Sequence, residues 1–270
     1  METNEAEKRR WNDEQWAAVW PKRERLTDAV TPLLLDALAP RAGERLLDIG
    51  CGGGRTTLAA SRMVGAGGAV VGADLSVPIT RLAVERARDA GAANATFVVV
   101  DMQEATVAGG PFDAALSQFG VMFFDEPVVA FTNIARQLKP GGRIAFACWR
   151  SLDENPWHYV TAITQFVPQA PPLAPGKSPT GPFALADVER TTGILDAAGF
   201  TDVRRTAHDL SVDVPPDAVV DDVQFTLMGI PAAALPEVKA VVADHMAQFR
   251  IDDEISRLPL AFQIFTATRP

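Results

Sequence analysis

Between Glu44 and Trp149 short apolar runs alternate with stretches of helical periodicity, and each run stops at a glycine or a polar residue. Arg45 to Ile49 leads into Gly50-Cys51-Gly52-Gly53-Gly54, and a helix over Thr56 to Val64 follows. Ala69 to Asp74 is a second strand; Ile79, Leu82, Ala83, Ala87 and Ala90 then recur at helical spacing ahead of Gly91. Phe97 to Val100 is a third strand ending at Asp101, and Phe112 to Ser117 a fourth. Val128, Phe131, Ile134, Ala135 and Leu138 mark a helix closed by Lys139-Pro140-Gly141-Gly142, and Arg143 to Trp149 is a fifth strand. This alternation implies parallel pairing through right-handed crossovers. Strands apolar throughout imply a sheet covered on both faces. The expected class is a doubly wound α/β sheet, whose ligands bind outside the strand carboxyl ends. Gly50, Asp74, Asp101 and Ser117 occupy those ends.

The flanks read differently. Trp11, Trp16 and Trp20 lie four to five apart, on roughly one helical face, and Leu26, Val30, Leu33, Leu34 and Leu38 continue a helical pattern. Pro168 to Pro182 reads as a proline-rich loop. Asp187 caps a helix that Gly199 stops. Val203 to Val214 suits a strand, helical segments fall near 218–228 and 235–249, and Leu260 to Ala267 suits a last strand. The expected division is an N-terminal helical lid over 1–40, a core over 41–150, and a lid and sheet-completing segment over 151–270.

Composition removes several classes. A net charge of −9 argues against a phosphate backbone as partner, and Arg81, Arg86 and Arg88 read as the solvated face of one helix. No apolar run is long enough to span a bilayer, and the charged start lacks a signal core. A cytoplasmic location without stable membrane insertion is expected. Cys51 and Cys148 have no metal spacing, so no metal is expected. A homodimer is left open.

The glycine cluster carries the chemistry. Glycines let a backbone turn sharply and approach a ligand closely, and the helix that follows offers free N–H groups to an anion. Asp74, ending the next strand, suits the hydroxyls of a ribose. Asp101 can accept from an exocyclic amine. The alternatives are ordinary ones, a helix cap at Asp74 and a turn residue at Asp101; their joint placement on consecutive strand ends favours a nucleoside.

LLDIGCGGG, GADLS, VVVDMQ, FDAALSQFGVMFF and LKPGGRIAFACW resemble the class I S-adenosylmethionine (SAM)-dependent methyltransferases, in particular the ubiquinone/menaquinone-biosynthesis group and its small-molecule relatives. The resemblance covers roughly residues 20 to 157. It implies a Rossmann-like, mainly parallel seven-stranded sheet with N-terminal helices and a lid inserted after the fifth strand. It implies SAM as cofactor, with Asp48, Gly50, Cys51 and Gly52 at the methionine portion. Asp74 would hold the ribose, Leu75 the adenine face, and Asp101 with the Met102 backbone the adenine edge. Ser117 or Gln118 would hold the methionine ammonium. A small organic acceptor, methylated at oxygen or carbon and of natural-product or quinone type, would meet Trp20, Phe119, Phe123, Trp149, Trp157 and Phe183.

Methyl transfer to a hydroxyl or an acidic carbon is helped by a base. Of three histidines, His158 begins the expected lid and is the candidate; a packing or surface role is the alternative for it, as for His208 and His245. Asn155-Pro156-Trp157 superficially resembles the motif of nucleic-acid amine methyltransferases. It follows the fifth strand rather than the fourth, and reads as the start of the lid. A nicotinamide oxidoreductase needs glycine where Arg55 stands. A SAM-fold protein without methyl transfer, such as a cyclase or binding protein, is the remaining alternative.

Overall fold

The computed structural model describes residues 5–168, 180–220 and 222–270, so most of the proline-rich stretch expected as a loop lies outside the described residues. Helices α1 (Glu5–Trp11), α2 (Glu14–Arg23) and α3 (Val30–Leu38) precede the sheet. Then β1 (Arg45–Ile49), α4 (Arg55–Val64), β2 (Ala69–Asp74), α5 (Val77–Asp89), β3 (Ala95–Val99) and β4 (Phe112–Gln118) alternate. They are followed by α6 (Pro127–Gln137), β5 (Leu138–Trp149), α7 (Val188–Ala197), β6 (Thr201–Val214), α8 (Asp222–Leu227), α9 (Leu235–Ala247) and β7 (Ser256–Thr268).

The strands form one seven-stranded sheet in the order β3-β2-β1-β4-β5-β7-β6. β7 runs antiparallel to β5 and β6, and the remaining pairs are parallel. The chain moves outward one way from β1 to β3, then returns to the other side of β1 with β4. The carboxyl ends of β1 and β4 therefore flank a topological switch point, where a crevice opens.

Local sequence sets the helix starts. Ser76 caps α5 by accepting from the Ile79 N–H at 3.3 Å, and Asp187 caps α7 through the Arg190 N–H at 2.7 Å. The core is continuous from Val30 in α3 to Ala267 in β7. Phe112, Phe131, Phe146, Phe262 and Phe265 are fully buried within it.

β6 and β7 begin earlier than the sequence suggests, at Thr201 and Ser256, and two further boundaries bear on the site. β3 ends at Val99, so Asp101 stands two residues beyond the strand, in the loop that follows. β5 begins at Leu138 and takes in Lys139–Gly142, because Leu138 pairs with Phe112 across an irregular register. Two segments leave the carboxyl edge of the sheet. One follows β5 as short helical turns (Leu152–Glu154, Tyr159–Thr161, Thr164–Phe166), and the other carries α8 and α9 between β6 and β7. Asn155 ties the first to the sheet: its Nδ2 donates to the Ala261 carbonyl at 2.8 Å, and its Oδ1 accepts from the Ala261 N–H at 3.0 Å. Among the described residues no helix is long and apolar enough to cross a membrane.

Candidate cofactor and acceptor cavity

A cavity of about 750 Å³ opens at the switch point, a size typical of small-molecule sites. Its floor is the carboxyl edge of β1, β2 and β4. Gly50 turns the chain after β1 at φ +65°, and a Cβ there would lie 2.8 Å from the Gly120 Cα. Only glycine leaves the two loops this close. Gly52, at φ +52°, lies under the Trp20 ring, and a Cβ there would be 2.6 Å from it.

At the β2 end, Asp74 accepts from the Gly52 N–H at 2.8 Å with Oδ2 and from the Ser76 N–H at 2.9 Å with Oδ1. Burial raises its pKa, and those backbone N–H groups oppose the rise. The side chain is thus fixed beside the glycine turn with carboxylate lone pairs left for a ligand. Asp101 accepts from the Gln103 N–H at 3.0 Å. Its Oδ2 is buried without a hydrogen bond, with the Lys8 ammonium 3.5 Å away. Leu75, Met102, Val100 and Ile79 complete an apolar slot between the two carboxylates.

Helix α1 covers this end. The Ser76 hydroxyl donates to the Trp11 carbonyl at 2.5 Å. Asn12 donates to the Leu75 carbonyl at 3.1 Å and accepts from the Val77 N–H at 2.9 Å. The Trp11 ring meets Phe123 edge-on at 5.2 Å, and Trp16 and Trp20 at 5.6 and 6.0 Å. The opposite end of the cavity is aromatic too. Phe119, held at φ +61°, stacks on Trp149 at 4.2 Å, and Trp149 meets Trp157 at 5.4 Å. His158 follows in the wall. Burial lowers its pKa to about 4, with the Arg23 and His245 charges acting the same way, so the imidazole is neutral at pH 7. Its Nδ1 is buried without a hydrogen-bond partner.

The structure brings together Gly50, Cys51, Gly52, Asp74, Leu75, Asp101, Met102, Gln118, Phe119, Phe123, Trp20, Trp149, Trp157 and His158 around this one cavity. Three expected residues stand outside its wall. Asp48 is buried one layer beneath the glycine turn, where its Oδ2 accepts from the Thr57 hydroxyl at 2.6 Å. Burial, reinforced by the Asp74 charge, raises its pKa to about 7. The Ser117 hydroxyl is buried and donates to the Ile49 carbonyl at 2.7 Å, pinning β4 to β1. Phe183 packs behind the wall against His158, 5.0 Å away edge-on. The basic run also reads differently: Arg86 turns inward, bonding the Gly53 carbonyl at 3.0 Å and Glu24 Oε2 at 2.9 Å.

The sequence reading missed Glu7, Arg23 and Gln224, which also line the cavity. Arg23 lies over the Trp16 ring at 4.7 Å and bonds the Gln224 side chain in α8. Nothing in the sequence joins residues this far apart. Trp11 and Trp16, by contrast, were visible in the tryptophan spacing.

Residues 46–142 match a family model described as a methyltransferase domain. The chain is 33% identical over 197 residues to the nocamycin O-methyltransferase of Saccharothrix syringae, covering 67% of this chain and 68% of that one. The chain belongs to the SAM-dependent methyltransferases. It is 34% identical to the ubiquinone/menaquinone biosynthesis C-methyltransferase UbiE of Yersinia enterocolitica over 111 residues, 41% of this chain and less than half (44%) of that one. In fold it is similar to the Haemonchus contortus phosphoethanolamine N-methyltransferase 2 solved with SAM, at a TM-score of 0.58, 20% identity, 96% of this chain and 57% of that one.

The cofactor of this methyltransferase is SAM, and the cavity fits it. Two carboxylates flank an apolar slot, one of them with a buried oxygen that makes no hydrogen bond. The glycine turn beside them tolerates no side chain at Gly50. The same cavity continues from this slot to the aromatic wall of Phe119, Trp149 and Trp157.

Proposed function

We propose that the protein transfers a methyl group from SAM to oxygen or carbon of a small, largely apolar organic acceptor. The observation that carries this reading is the continuity of one cavity, from the Asp74–Asp101 slot past Gly50 to the Phe119–Trp149 stack. A cofactor held in the slot presents its reactive end to the aromatic wall. The names of the relatives, an O-methyltransferase and a quinone C-methyltransferase, support both acceptor types.

In this reading Asp74 accepts from the ribose hydroxyls, and Leu75 and Met102 enclose the adenine. Asp101 accepts from the adenine amine, with the Lys8 ammonium 3.5 Å from its Oδ2. Gly50, Cys51, Gly52 and the Gln118 backbone surround the amino-acid end. Bound SAM supplies an electrophilic methyl group on a sulfonium. The protein's task is to align the acceptor and exclude water. Phe119, Phe123, Trp149 and Trp157 do both for a planar acceptor. His158 is neutral and a weak base, so it suits a phenol or enol that loses its proton as the methyl group arrives. The N-terminal helices and the segments after β5 and between β6 and β7 act as covers over the core, while β6 and β7 complete its sheet.

The test is transfer of labelled methyl from SAM to a panel of phenolic, enolic and quinol acceptors. Label in the acceptor is the expected result. Conversion of an acceptor without label would assign the fold to another reaction.

A further inference from the structure

Trp20 was expected at the acceptor wall, but its ring contacts are with Trp11 and the glycine turn. Its Nε1 lies 3.1 Å from the point a Cβ on Gly53 would take, and 3.4 Å from that point on Gly52. The nitrogen is buried and has no hydrogen-bond partner, although Trp20 lines the cavity. An indole N–H is a donor only. A buried donor with no acceptor is costly and uncommon in folded proteins, so its position next to a ligand cavity points to an acceptor on the ligand.

We propose that the Trp20 indole N–H recognises the amino-acid carboxylate of the cofactor. The inference rests on the cofactor reading above. A carboxylate is acceptor only, and its hydrogen bonds are among the stronger ones in proteins. The neighbouring charges permit an anion here. Two acids stand at the turn: Asp74 accepts from the Gly52 N–H on one side, and on the Gly53 side stands Glu24, which Arg86 holds at 2.5 Å and Arg55 faces at 3.9 Å. Arg55 also pairs with Asp28 at 2.7 Å, so on this side two guanidinium groups balance the two carboxylates of Glu24 and Asp28. The role assigns Trp20 to cofactor binding and leaves the acceptor to the Phe119–Trp149–Trp157 wall.

Calorimetry separates the N–H from the ring. S-adenosylhomocysteine and its decarboxylated analogue are titrated into the wild-type protein and Trp20→Phe. The expected result is about tenfold or greater weakening for S-adenosylhomocysteine, and equal binding of the decarboxylated analogue to both proteins. Equal losses for both ligands would overturn the proposal, since they would report ring packing alone. No loss for either would do the same. Should Trp20→Phe not fold, Trp20→Met passes through the same comparison, where the loss must still be larger for the ligand with the carboxylate. A wild-type protein that binds neither ligand removes the cofactor reading itself.

Discussion

The two halves of the cavity are built by different means. The slot between Asp74 and Asp101 is made by strand ends and tight turns, with backbone N–H groups fixing the side chains. The Phe119–Trp149–Trp157 wall is made by side chains from the residue after β4, the end of β5 and the segment after it, packed by ring contacts. Backbone-built sites are stiff and tolerate little change. Ring-built sites can be resurfaced residue by residue. One molecule therefore joins a constant cradle to an adaptable wall.

That contrast breaks most visibly at Gly50. Gly50→Val puts a side chain against the Gly120 backbone at a positive φ. We expect a loss of about 3 kcal/mol in stability and no measurable cofactor binding, read by thermal melts and calorimetry. A melt unchanged from wild type would mean the two loops are not locked together.

Beneath the cradle, Asp48 gives a pH signature. Its folded pKa of about 7 lies above the ordinary carboxylate value, so the folded chain holds a proton that the unfolded chain releases. The stabilising contribution is complete below about pH 4 and is lost as pH rises through 7. Over that window this group should remove on the order of a few kcal/mol of stability. Asp48→Asn should flatten the fall in melting temperature between about pH 4 and 7, and an unchanged slope would place the titration elsewhere.

Asp74→Ala sharpens the same side. Cofactor binding should weaken by about 1–3 kcal/mol, with acceptor KM little changed at saturating SAM. Unchanged cofactor affinity by calorimetry would refute the assignment of the slot. The smallest effect is expected on the other side. Phe119→Leu loses one stacked pair, about 0.5–1.5 kcal/mol, and should raise acceptor KM while leaving the cofactor Kd alone. If both constants move together, the two halves are not independent.

Much of the cavity floor was legible because apolar runs stop where the cavity-lining residues begin, at Gly50, Asp74 and Gln118. Asp101 was found although its strand ends two residues earlier, since the loop carries it to the same edge. The Asp48 and Ser117 side chains lie off the cavity wall for one reason: nearness to a strand end does not say which way a side chain points. With both sheet faces covered, alternation along the strand gives no warning. Thr57 in α4 claims Asp48, and the Ile49 carbonyl claims Ser117. The wall was legible only as a stock of aromatic residues. Its partners from α2 and α8 meet across the fold, and no local pattern records that meeting.

The Arg23–Gln224 bond, with Lys22 and Asp217 2.9 Å apart beside it, has a thermodynamic consequence. It joins the helix that carries Trp20 to the segment between β6 and β7. Whatever steadies one partner steadies the other, and any change that one guest in this cavity makes in the affinity of a second is returned by the same factor.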